Sequence, residues 1–127
     1  MPNGFYGSKE EWERMVAPLR QLDSGLSSFA AAHDLEVDHN YHNMPNRMLK
    51  WTSDGIQRVI QVSLEGENQI LFAISAYKDE GGRRRGKRWP PRLDLSLTEF
   101  KNNLELLLTG AYETLASVSA DDLEYWI

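Results

Sequence analysis

Apolar residues recur at spacings of three and four from Trp12 through Met15, Val16, Leu19, Leu22 and Leu26 to Phe29, the period of a helix that buries one stripe. Ser8 stands three residues ahead of Glu11 where that stripe begins, a capping-box pair, and the pattern predicts a helix over about 8–32. Pro18 removes a backbone donor inside it and Gly25 lowers its propensity. Together they predict a kink or a break into two pieces.

From Leu35 the period falls to two. Leu35, Val37, His39 and Tyr41 take one face and Glu36, Asp38 and Asn40 the other, which predicts a half-buried strand over 35–41. Further strands are predicted over 47–52, 56–64 and 69–78, joined by Ser53-Asp54-Gly55 and Gly66-Glu67-Asn68, turn sequences of the kind that close hairpins. In the strand over 56–64, Ile56, Arg58, Ile60, Val62 and Leu64 point one way and Gln57, Val59, Gln61 and Ser63 the other. The stretch Asp79 to Pro91 has no apolar period and is predicted to be a loop of a length that is usually functional or mobile. Leu93, Leu95 and Leu97 then alternate with polar residues as a fifth strand over 92–97.

Ser96 and Glu99 form a second capping box ahead of a helix over about 98–117, with Phe100, Leu104, Leu107, Leu108, Ala111, Tyr112 and Leu115 on its stripe. Ser119 and Asp122 cap a short last turn over 120–127. The order predicts an α+β domain spanning 1–127: an N-terminal helix, an antiparallel meander of about five strands and a C-terminal helix, both helices packed on one sheet face. The opposite face, with Gln57, Val59, Gln61, Leu71, Ala73, Ser75 and Tyr77, is left to solvent, a partner or a second copy in a homodimer.

Composition narrows the function classes. The chain has no cysteine, which excludes thiol catalysis, disulfides and thiolate metal sites and fits a reducing, cytoplasmic setting. The N-terminal residues reach acids before any apolar run forms, and no run approaches the ~20 residues of a membrane span, so neither a leader nor membrane association is expected. Charge is unevenly placed. The net charge is -5, yet Arg83, Arg84, Arg85, Lys87, Arg88 and Arg92 put six positive charges within ten residues that hold no acid. An acidic body disfavours a general nucleic-acid coat, whereas a local basic segment can still meet phosphate or an acidic protein.

Three constellations are candidates for chemistry. In the basic segment, the guanidinium forks of Arg83, Arg84, Arg85 and Arg88, with Lys87, could bind phosphate or carboxylate, and Trp89 could stack on a base. No phosphate-cradling motif accompanies them, and the plain alternative is a solvated charged loop. His33, Asp34, Asp38, His39 and His42 are donors suited to a divalent metal, but strand alternation splits them between faces and their spacing matches no ligand motif, so no metal and no cofactor are expected. His33 is better placed as a cation-capable residue near a helix C-terminus. Finally, His39, Tyr41 and Arg58 fall on the helix-covered face, where they could line a pocket with Arg58 holding an anion and His39 exchanging protons. The competing view is that Arg58 snorkels to the rim of the sheet.

Size, acidity and absence of cysteine together resemble small bacterial interaction proteins such as immunity proteins and secretion chaperones, a likeness that implies partner binding. The chain departs from the chaperones in having no stretch suited to a helix in the middle of its strands. The expectation is therefore a non-enzymatic protein-binding module of immunity, chaperone or adaptor type, using the basic loop, the open sheet face or both. The alternatives are a small-ligand or enzymatic domain at the His39, Tyr41 and Arg58 pocket, and single-stranded nucleic-acid binding through the arginines.

Overall fold

The computed structural model describes residues 7–40 and 44–126, with the backbone alone at Trp126. The chain opens with α1, Lys9–His33, capped as its sequence requires: the Ser8 hydroxyl accepts from the Glu11 amide at 3.1 Å. The helix is continuous through Pro18 and Gly25, so the expected break does not occur. Burial of Trp12, Val16, Leu19, Leu22, Leu26 and Phe29 on one stripe outweighs the donor lost at Pro18. At Gly25 the end of the Leu104 side chain packs where a Cβ would stand. Asp34 ends the helix in the left-handed region.

Among the described residues seven antiparallel strands follow: β1 Glu36–His39, β2 Asn46–Ser53, β3 Ile56–Glu65, β4 Gln69–Glu80, β5 Arg83–Arg88, β6 Arg92–Ser96 and, at the end, β7 Glu124–Trp126. They lie in the order β1-β2-β3-β4-β5-β7, while β6 pairs with the N-terminal half of β4 on the edge whose other half holds β5. The alternation expected for β3 is observed, with Ile56, Arg58, Ile60, Val62 and Leu64 buried beneath the helices. The α+β fold is as expected, and the two further strands correct the count of five.

The main correction concerns Asp79 to Pro91, where Asp79 to Arg88 is a strand pair closed by a tight turn and only 89–91 connect to the next strand. Gly81 and Gly82 have φ of 55° and 81°, the two positive-φ positions of a tight two-residue hairpin. Asp79 lies opposite Arg84 and Glu80 opposite Arg83 in the register. Arg84 binds Asp79 at 2.9 Å and stacks over Tyr77 at 4.3 Å. Cross-strand charge pairs thus hold a hairpin that carries no apolar period.

The C-terminal half differs in a second respect. The single expected helix is two, α2 Leu97–Asn102 and α3 Leu104–Ala116. Asn103 adopts φ -116°, ψ 20° and its side-chain amide donates to the Glu99 carbonyl at 2.9 Å, the local competition by which asparagine interrupts helices. The Ser96 hydroxyl caps α2 by accepting from the Glu99 amide. The last turn is a 3-10 turn, Ala120–Asp122, closed by the Ser119 and Asp122 box and followed by β7 on the edge of β5.

All helices contribute to one core on one face of the sheet, with Leu22, Leu26, Leu49, Ile60, Phe100 and Leu108 among its buried members. Arg47 is buried within it. Its guanidinium binds Asp23 of α1 at 2.7 Å and the Asn40 side chain at 3.0 Å, clamping helix to sheet. Replacing Arg47 by Met leaves Asp23, 27% exposed, without its cation. A loss of about 3 kcal/mol in unfolding free energy is expected by denaturant titration, and the combined Arg47→Met, Asp23→Leu variant should recover most of it.

Candidate functional site

The six basic residues are distributed by strand alternation. Arg84 and Arg88 lie on the open face of the sheet, and Arg83, Arg85 and Lys87 on the helix side, as their register with Ser75 to Glu80 dictates. Most are engaged within the chain. Arg83 stacks over Tyr125 at 4.2 Å, Arg85 donates to the carbonyls of Ala120 and Leu123 and lies 3.6 Å from Glu80, and Lys87 stands 5.1 Å from the Trp89 ring. Trp89 is half-buried against the core and its backbone amide donates to the Ile74 carbonyl. The segment is accordingly an ordered edge that anchors the C-terminal strand.

Two carboxylates in this region are acidified. The Arg84 guanidinium beside Asp79 holds its carboxyl below the ordinary 3.8, and the Ser119 amide and hydroxyl do the same for Asp122. A carboxyl whose pKa is depressed on folding stabilises the fold above its unfolded value and loses that contribution as pH falls through the folded value. Hydrogen-exchange protection of 119–126 is therefore expected to be full above about pH 4 and to decline below it. In Asp122→Asn that pH dependence should be blunted, which NMR exchange across a pH series would read.

Arg58 is buried on the helix-covered face as its alternation required, but it does not reach the rim. Its Nε donates to the Leu115 carbonyl at 2.7 Å, and its terminal nitrogens to Val118 at 2.8 Å and Ser53 at 2.9 Å. It caps the C-terminus of α3 and ties it to the β2-β3 turn. His39 lies elsewhere: it is exposed on β1, in register with Arg47 and through it with Val62, four residues along β3 from Arg58. That offset is about 13 Å along the strand, so the structure does not bring the two together. Tyr41 and His42 lie outside the described residues. Arg58→Met should cost roughly 3 kcal/mol of stability in urea unfolding by leaving these carbonyls without a donor, and Arg58→Lys should not restore it because one ammonium cannot span them.

The remaining donors are likewise dispersed. His33 donates from Nδ1 to the Phe29 carbonyl at 3.0 Å and packs between Phe29 and Tyr112; Asp38 pairs with Lys50 at 2.6 Å on the open face. Among the described residues no three or more His, Asp or Glu side chains gather as an ion site, and no helix is long and apolar enough to cross a membrane.

Two clefts break the surface near the point where β5 gives way to β6. On the open face, Ala73 and Ser75 of β4 leave a recess of about 660 Å³ bordered by Gln61, Leu71, Arg88 and Trp89 and closed by Pro90 and Pro91. On the helix side, a groove of about 560 Å³ runs between α3 and the sheet, lined by Phe72, Ile74, Trp89, Arg92, Leu107 and Gly110 among others. Neither was legible in the sequence, since each depends on β5 and β6 sharing one edge of β4. The small residues Ala73 and Ser75, two apart on a strand flanked by larger ones, were the only local sign of the first. No protein-family model, curated protein or solved structure matches the chain.

Proposed function

We propose that this chain is a non-enzymatic protein-binding module that receives its partner on the open face of the sheet. The observation that carries the reading is the one-sided placement of the helices: the core lies entirely between them and one sheet face. The other face presents Val59, Leu71 and Tyr77 beside Gln57, Gln61 and Ser75, all half-buried by their neighbours alone. Such a mixture of aromatic, aliphatic and amide groups suits an interface better than a bare solvated face.

The recess at Ala73 and Ser75 would take an anchoring side chain, and Arg84 and Arg88 at one rim favour a partner segment bearing acids. The pairing of Arg84 with Asp79 and of Lys50 with Asp38 supports a protein ligand over a nucleic acid, because these cations are not offered as an unbroken positive track.

Ala73→Glu and Arg88→Glu each alter the open face without touching the core. Affinity capture from lysate of the native source, nuclease-treated and compared with wild type, should lose the captured protein with at least a ~10-fold fall in affinity. Circular dichroism should be unchanged. Capture that both variants retain, or recovery of nucleic acid alone, overturns the reading.

A further inference from the structure

The groove on the helix side has features that the chain's own packing does not explain. Leu106, Leu107, Gly110, Ala111 and Thr114 form its α3 wall, a stripe about 12 Å long. Gly110 is unfavourable in mid-helix, and here no neighbour demands it: a Cβ at this position meets nothing within 4 Å. At Gly25, by contrast, a Cβ would displace the end of the Leu104 side chain. The missing side chain at 110 deepens the groove instead. Leu106 stands 73% exposed at the lip, an apolar group with no cover among the described residues.

The single charged residue of the lining is Arg92. Its backbone is paired with Phe72 of β4, but its side chain makes no hydrogen bond, ion pair or ring contact among the described residues, whereas Arg83, Arg84, Arg85 and Lys87 of the same basic run are engaged within the chain. No acid lines the groove. An apolar trough of about 560 Å³, walled by Phe72, Ile74 and Trp89 and ending at one unpaired guanidinium, complements a molecule with an apolar body and a single anionic head.

We infer that this groove binds a small amphiphilic monoanion, a carboxylate with a medium-length acyl or comparable apolar body, whose head pairs with Arg92 while its chain lies along α3 over Gly110. The site opens on the helix side of the sheet, with Trp89 and Pro90 as the margin it shares with the open-face recess, and it goes beyond protein binding there.

The test uses monomeric decanoate and its neutral analogue decanol, titrated into the full chain by calorimetry. Wild type should bind decanoate at least ~10-fold more tightly than decanol. Arg92→Gln should abolish that preference and leave decanol affinity unchanged. Gly110→Leu, which fills the trough from a position with open space around it, should remove binding of both while raising helicity. Ala73→Glu should bind decanoate as wild type does, which separates this site from the open face. Absence of decanoate binding to wild type below millimolar concentration, or binding that survives both Arg92→Gln and Gly110→Leu, overturns the inference.

Discussion

The buried guanidinium of Arg58 is the constraint on which the rest of the molecule turns. A helix ending over a sheet leaves carbonyls that must find donors away from water, and the end of α3 finds them in one strand residue, through Leu115 and Val118. That fixes where α3 stops relative to β3. It also fixes where the chain leaves for Ser119, the 3-10 turn and β7. Arg85 repeats the device one layer outward, donating to the carbonyls of Ala120 and Leu123. The C-terminal segment is thus sewn to the sheet by arginines reaching upward from strands, and the groove beside α3 inherits its shape from the same anchoring.

The elements legible in the sequence are those held by contacts a few residues apart. Ser8 with Glu11 and Ser96 with Glu99 announced two helix starts, because a cap acts within one turn. The alternation of Ile56 to Leu64 announced a strand because burial on one face imposes period two. What escaped was held by charge or by distant partners. The strand Arg83–Arg88 has no apolar alternation to read; its evidence was the sequence Asp79-Glu80-Gly81-Gly82-Arg83-Arg84, acids mirrored by arginines across two glycines. Arg58 was placed on the correct face, but the two acceptors that tie it to the end of α3 lie 57 and 60 residues away. Arg47 and Asp23, 24 residues apart, gave no local sign of their bond. The pairing of His39 with Arg58 failed for a related reason: a shared face says nothing of position along the strand.

The two clefts illustrate how function can escape a linear reading even when the fold does not. Both arise at the same interruption, where Pro90 and Pro91 carry the chain from β5 to β6. Proline donates no backbone hydrogen bond and fixes its own φ, so the chain leaves the edge of β4 there and recesses open on either face of the sheet. The open-face recess is partly polar and borders Arg88; the helix-side groove is apolar and borders Arg92. One sequence feature, the end of a stretch read as a loop, becomes in three dimensions the common margin of two different surfaces.

The same interruption makes β4 a strand with two masters. Its first residues, Gln69, Ile70 and Phe72, are paired to β6 and through it to the cap of α2, whereas Ser75 to Glu80 are paired to β5, which in turn holds β7. Fraying that begins at the C-terminus therefore uncovers only the outer edge of the far half of β4, whose other edge stays paired to β3, while the near half keeps β6. A continuous twelve-residue strand in this way lends one edge to two neighbours, and loosening of β5 and β7 leaves the pairing with β6 in place.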